Sequence, residues 1–277
     1  MKKIFLLPGF AALFLFSACE EKPIEIPDLT GGIRRVIAEE ATGVRCPQCP
    51  DGTRTLTSLQ STFKAEGREL IVISIHASGN FSVPYPNGKY DFRSPDAQAL
   101  VNAIGGLEGF PSSAIDRRLL PNETSTFVNP HTRWEGVIRA DFAKDYGLEV
   151  LIENDFDPAT RQLGITVDID VFPGQTLAGE HFLTVLITQD SIVDIQDDKG
   201  VLNPNYVHRH ILRDVVTNAG GDLIAEPLVS DAVIRKAFSV ALPAGWDEKH
   251  CSVVAFVHHG GMPDKEVLQA AERHVVE

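Results

Sequence analysis

Cys46-Pro47-Gln48-Cys49 follows the apolar run Val36-Ile37-Ala38 and opens a stretch, Pro50 to Glu66, in which Leu56, Leu59 and Phe63 share one helical face. Two cysteines two residues apart reach disulfide geometry within one turn, and the first sulfur lies where the free N–H groups and positive end of a helix favour a thiolate. A strand, a thiol pair and a helix in succession therefore predict a redox centre, with Cys46 as nucleophile and Cys49 as the resolving thiol. A zinc site would need two further ligands, and no second Cys- or His-rich knuckle lies at suitable spacing. A structural disulfide stays open, although so small a loop gains little chain entropy from closure. The redox reading also requires that the sulfurs be reachable from solvent.

Working outward, strand-like and helix-like patterns alternate up to about Tyr146. Ile33 to Glu40, Leu70 to His76 and Ser112 to Asp116 read as strands; Pro50 to Glu66, Asp96 to Ile104 and Thr132 to Tyr146 read as helices. The alternation predicts an α/β domain over residues 33–146. Past Gly147 the apolar period changes to two. Leu148 to Ile152, Leu163 to Phe172, Phe182 to Thr188, Val207 to Val216, Val233 to Leu242, Ser252 to His258 and Glu266 to Val276 are separated by turn residues, which predicts an all-β sandwich over residues 147–277. His208 and His210 would share one face of the strand from Val207, so they are weak candidates for a metal pair; otherwise they bond a loop or domain interface.

The first residues speak to location. Lys2 and Lys3 precede an apolar run from Ile4 to Phe16, then Ser17-Ala18-Cys19, the layout of a secretory signal over residues 1–19. The run is too short to cross a bilayer comfortably. The small pair before Cys19 resembles the lipobox of bacterial lipoproteins, with Cys19 as the lipidated residue and membrane anchor, although Phe16 is unusual there. Glu20-Glu21-Lys22 resembles a surface-export signal, and a periplasm-facing anchor stays open. Residues 20–32, with Pro23 and Pro27, read as a flexible tether. A formal charge of −13 makes the chain a poor ligand for nucleic acid or anionic lipid. With Cys19 lipidated, Cys46, Cys49 and Cys251 remain, and Cys251, just before Val253-Val254-Ala255-Phe256, reads as a buried core thiol.

In thioredoxin-like proteins a cis-proline before a strand packs against the active disulfide, and the residue before it pairs with bound peptide. Gly109-Phe110-Pro111, ahead of Ser112, resembles that turn and makes Pro111 a catalytic-site and Phe110 a substrate-binding candidate. Glu40, six residues before Cys46, stands where thioredoxins bury an acid that takes the proton of the inner thiol; Glu39 should face the other way, and either could instead be an edge charge. Pro47 and Gln48 complete the expected substrate face. The Pro47 spacer is similar to that of glutaredoxins and bacterial disulfide oxidants, and the neutral Gln48 points to an intermediate potential. Arg45 either lowers the Cys46 pKa or is a solvated charge. The segment from His76 to Arg93, with Phe81, Tyr85, Tyr90 and Phe92, walls the peptide groove or covers the sheet end.

Several motifs in order carry a wider resemblance: Thr42-Gly43, Cys46-Pro47-Gln48-Cys49-Pro50, Ile75-His76-Ala77, Asp91-Phe92-Arg93, Gly109-Phe110-Pro111-Ser112, Tyr206 through Arg213, and Val253 through Phe256. From about Ile33 the chain resembles the outer membrane protein 28 family of Bacteroidetes lipoproteins. The resemblance implies a thioredoxin-like domain followed by an immunoglobulin-like β-sandwich, at the outer membrane and facing periplasm or cell surface. It implies no cofactor. Two functions follow as expectations: thiol-disulfide exchange with protein thiols and disulfides, or surface binding in which the thioredoxin-like domain is only a scaffold.

Overall fold

Strand β1 (Arg35–Ala41) and strand β2 (Glu69–Ile75) run parallel, joined through helix α1 (Cys49–Ala65). The computed structural model describes residues 32–77, 79–107, 109–260 and 265–276, all within one unit that begins at Gly32. The signal, Cys19 and nearly all of the expected tether lie outside the described residues. Helix α2 (Pro95–Ile104) starts where the Ser94 side chain accepts a hydrogen bond from the Ala97 N–H and ends at Gly105. Strand β3 (Ser112–Ile115) pairs antiparallel with the free edge of β1, and the short β4 (Phe127–Val128) pairs with β3. The last helix of this half, α3, is shorter than its sequence pattern, running from Trp134 to Phe142.

Beyond Gly147, β5 (Leu148–Asp157), β6 (Gln162–Val171) and β12 (Val233–Ala241) form a three-stranded antiparallel sheet in the order β12-β6-β5. The others do not stand apart. Strands β7 (His181–Gln189), β10 (Ile211–Val215), β13 (Cys251–His259) and β14 (Val267–His274) extend the first sheet in the order β14-β13-β7-β10-β2-β1-β3-β4, with β11 (Asp222–Leu223) also on β7. The join is β10 beside β2, where the Ser74 N–H donates to the His210 carbonyl at 2.8 Å. The change of period at Gly147 thus marks a change in how strands are connected, not a break in the hydrogen-bonded sheet.

Alternation along the shared strands explains how one sheet serves three cores. On β7, Leu183, Val185 and Ile187 pack with Val150, Ile152, Ile165 and Val167 of the small sheet, while Leu186 faces the other way. On β1, Ile37 and Ala41 pack with α2, Phe256 and Val267, while Val36 and Ala38 pack with α1 and α3. The sheet curls enough that the Val267 N–H donates to the Asp116 carbonyl at 2.9 Å.

Two strands stay off both sheets. β8 (Ile192–Asp198) and β9 (Val201–His208) form a hairpin bonded only to itself as a sheet. Its two-residue turn, Lys199-Gly200, has positive φ at both positions, 57° and 85°, the primed geometry that matches strand twist. The strand expected from Val207 to Val216 is therefore two strands, broken at Arg209-His210, where His210 has a φ of 52°. That corrects the histidine pairing: His208 ends β9 in a buried position, and His210 lies in the turn after it.

Candidate functional site

Cys46 and Cys49 form a disulfide with Cα atoms 5.3 Å apart, at the turn where the chain leaves β1 and enters α1. The Cys46 N–H donates to the Gly43 carbonyl at 3.0 Å and the Cys49 N–H to the Cys46 carbonyl at 3.2 Å, so two short turns place the bond at the helix start. Pro50 sits in the first helical turn, where its missing N–H breaks no hydrogen bond. Cys251 is a separate, fully buried thiol whose pKa burial pushes up to about 12.

Glu40 is fully buried on the α1 face of β1. Its carboxyl accepts from the Thr53 hydroxyl at 3.1 and 3.2 Å and from the Ser74 hydroxyl at 3.2 Å; desolvation outweighs these bonds and raises its pKa to about 7. Tyr206, brought in by β9, bonds Thr53 in turn. Glu39 faces the opposite side, as strand geometry requires, and is also buried rather than a surface charge. Its two oxygens accept from Arg117 at 2.8 Å each, below the Phe256 ring.

Gly52 ties these parts together. A Cβ there would fall 2.9 Å from Pro111 Cβ, 3.0 Å from Glu40 Oε1 and 3.1 Å from Trp134 Cη2. Only a residue without a side chain lets the first turn of α1 touch the proline turn and the buried acid at once. The Phe110–Pro111 peptide bond is cis, and Asn129 Nδ2 donates to the Pro111 carbonyl at 3.1 Å. Phe110, in edge contact with Phe81, lines an open cavity of about 500 Å³ with Leu107, Val101, Gln98 and Asn102. Pro47 and Gln48 do not line that cavity; Pro47 is half-buried and Gln48 exposed.

Arg45 is engaged elsewhere than at the thiols. Its guanidinium donates to the Val83 and Pro84 carbonyls at 2.7 Å each and lies over the Tyr85 ring, so it anchors the segment after His76. His76 and His208 face each other and Phe92 in a buried cluster, and desolvation lowers their pKa values to about 3 and about 4. Both rings are neutral at ordinary pH. Among the described residues no three His, Cys, Asp or Glu side chains converge as metal ligands.

The residue that sequence reasoning missed is Gln196. It lies on β8, and its buried amide donates to the Gly43 carbonyl at 3.1 Å and the Cys46 carbonyl at 3.2 Å. Both cysteines of the turn it engages are nearly inaccessible, Cys46 at 2 % and Cys49 at 1 % exposed. The accessible sulfur that the redox reading requires is thus closed over in this conformation.

These features describe a mixed α/β protein, mostly strand, with a covered disulfide beside a buried acid and a proline turn. The family profile described as Outer membrane protein Omp28 matches residues 97–276, well over half of the sequence. The chain belongs to the Omp28 family, which places it at the outer membrane, and no helix among the described residues is long and apolar enough to cross a membrane. The matched segment begins after Cys49. Among solved structures, the chain is similar to HBP35 of Porphyromonas gingivalis, with a TM-score of 0.69 at 17% identity, covering 88% of this chain and 76% of that one. A structural-genomics protein of Agrobacterium tumefaciens aligns with a TM-score of 0.53 at 13% identity, covering 89% and 97%. A domain of the outer membrane lipoprotein Omp28 from Porphyromonas gingivalis is 19% identical and covers 48% of this chain and 90% of its own length, with a TM-score of 0.31. The first two likenesses concern the fold. Comparison with curated proteins finds no match.

Proposed function

We propose that this outer-membrane protein is held by a lipid on Cys19 and performs thiol-disulfide exchange on envelope or surface proteins through Cys46 and Cys49. The supporting fold reading is a thioredoxin-like half, with sheet order β2-β1-β3-β4, the disulfide between β1 and α1 and the proline turn before β3. A β-sandwich of immunoglobulin-like character, made by packing β12-β6-β5 on β7 and β13, accompanies it. The observation that carries the function is the convergence at Gly52 of the cysteine-bearing helix turn, Pro111 and the buried acid Glu40. Glu40, packed against the helix turn that carries the cysteines and raised to about 7 by burial, is suited to carry a proton to or from the leaving thiolate.

From the oxidised state, a thiolate of a substrate dithiol attacks Cys46 Sγ, the Cys46–Cys49 bond breaks, and Cys49 leaves as a thiolate that takes the Glu40 proton. The second substrate thiolate then attacks the mixed disulfide and displaces Cys46. The substrate gains a disulfide and loses two electrons, which the cysteine pair holds as two thiols. In reverse, the Cys46 thiolate attacks a substrate disulfide and Cys49, deprotonated by Glu40, resolves it.

One observation favours the scaffold reading instead: both cysteines are almost wholly covered. Under that reading the disulfide staples a binding lipoprotein. The two separate on trapping. A Cys49→Ala chain retains mixed disulfides with protein partners at Cys46 under the exchange reading, and Cys46→Ser abolishes them. Failure to trap any partner, with extracellular binding intact in Cys46→Ser, supports the scaffold.

A further inference from the structure

The hairpin that bonds the backbone of the cysteine turn comes from about 150 residues further along the chain. At the tip of the β8–β9 hairpin, the Asp197 N–H donates to the Val44 carbonyl at 2.8 Å and the Lys199 N–H to the Pro47 carbonyl at 2.9 Å. With the two bonds from Gln196, the hairpin engages the carbonyls of Gly43, Val44, Cys46 and Pro47. Outside this layer, Arg54 of α1 brackets Asp198 at 2.9 and 3.1 Å, and Lys199 pairs with Asp51 at 3.2 Å. The base of the hairpin is fixed by Ile192, packed with Val44, Phe92 and Ile211.

The tip is held differently from the base. Its grip on the cysteine turn is polar, and Val201 and Leu202, beyond the turn, are exposed rather than packed into a core. A two-stranded ribbon without a third strand is marginal by itself, and elements held mainly by hydrogen bonds open locally at a fraction of the global unfolding free energy. The base can thus stay seated while the tip lifts.

We infer that the β8–β9 hairpin is a releasable plug on the redox centre: its tip must lift from Gly43–Pro47 before any reductant or partner thiol reaches Cys46. The inference deepens the exchange reading and rests on it for its biological purpose, but the plug can be tested without any protein substrate. Opening precedes attack, so the rate at which a small reductant reaches the disulfide scales with the opened fraction.

The full chain in detergent is treated with excess tris(2-carboxyethyl)phosphine, quenched with an alkylating agent, and Cys46 is quantified by peptide mass spectrometry. The phosphine attacks sulfur and ends as its oxide with an oxygen from water, and the disulfide takes up two electrons and two protons as two thiols. Gln196→Ala removes the buried amide from two carbonyls and should raise the rate about tenfold. Arg54→Ala with Lys199→Ala removes both ion pairs that tie the hairpin tip to α1, along with the Arg54–Asp51 pair within the helix, and should raise it about threefold. Unchanged rates in both variants, with circular dichroism and melting like the parent, overturn the plug. Should Gln196→Ala not fold, the double variant decides alone, since its side chains are exposed and outside the core. Faster reduction in the variants, with no exchange on a protein substrate by any chain, leaves the plug standing and refutes the exchange reading. Substrate turnover with unchanged phosphine rates refutes only the plug.

Discussion

Glu40 sits where the fold and the proposed chemistry make opposite demands. An ordinary glutamate is ionised at neutral pH, but this one, buried beneath Thr53 and Ser74, keeps its proton up to about pH 7. Between an ordinary pKa near 4.5 and the folded value, the native chain binds a proton that the unfolded chain has lost, so stability falls as pH rises through that window and levels off above it. Glu40→Gln abolishes this contribution. Its stability relative to the parent should increase from pH 4 to pH 8 by on the order of 3 kcal/mol, read by denaturant unfolding. Asp116 and Glu272, also raised to about 7 by burial, act equally in both chains and cancel. A flat difference across that range would contradict a buried, protonated Glu40. Cys46, Cys49, Glu40 and Pro111 were legible because strand, turn and helix place the first three by local spacing, and a proline before a strand is visible in the sequence. Tyr206 was legible as a hydrogen-bonding residue, though its partner Thr53 was not, and Gln196 was missed, since nothing local in Ile195-Gln196 signals a contact 150 residues away.

At the scale of elements, α1 depends on the absence of a side chain at Gly52. Gly52→Ala places a methyl 2.9 Å from Pro111 and 3.0 Å from Glu40, in a corner closed by Trp134. Overpacking of this kind costs roughly 1–3 kcal/mol, so the melting temperature should drop by several degrees, with slower exchange. A chain that melts like the parent would show that the turn is not packed as described. Most of the first half's elements could be read to within a residue or two because their apolar patterns are clear; α3 falls short, ending at Phe142, and the two-residue strand β4 is too short to leave a pattern. The hairpin could have been found. Asp198-Lys199-Gly200-Val201 carries a turn glycine between two extended runs, but Asp194, Gln196, Asp197 and Asp198 interrupt the apolar alternation, and the sequence reading places no strand between Thr188 and Val207. Those polar residues are the ones that engage Lys89, Tyr90, Gly43, Cys46 and Arg54.

For the whole molecule, the joined sheet creates a core that neither half has alone, and the Glu39–Arg117 pair lies within it. Both side chains are essentially inaccessible, with the guanidinium 4.6 Å from the Phe256 ring centre. Arg117→Met leaves the Glu39 carboxylate buried without its partner and should cost about 3–5 kcal/mol, whereas Glu39→Leu with Arg117→Met should recover most of the loss. Equal destabilisation by single and double variants in a denaturant titration would argue that packing against Phe256, rather than charge, is what Arg117 supplies. The sequence reading divides the chain into two domains near Gly147, whereas strands from both sides of that point share one hydrogen-bonded sheet. Parallel pairing of β10 with β2 rests on Ile211 and Ser74, which lie far apart in sequence and carry no pattern that names each other. Exchange of the Cys46–Cys49 disulfide with other proteins can be tested directly. The most direct measurement is transfer from the oxidised full chain to a reduced protein dithiol, followed by mass spectrometry of both, in the parent and in Gln196→Ala. The account predicts stoichiometric transfer, faster in Gln196→Ala and absent in Cys46→Ser; a disulfide that stays on Cys46 and Cys49 even with the hairpin loosened would contradict it.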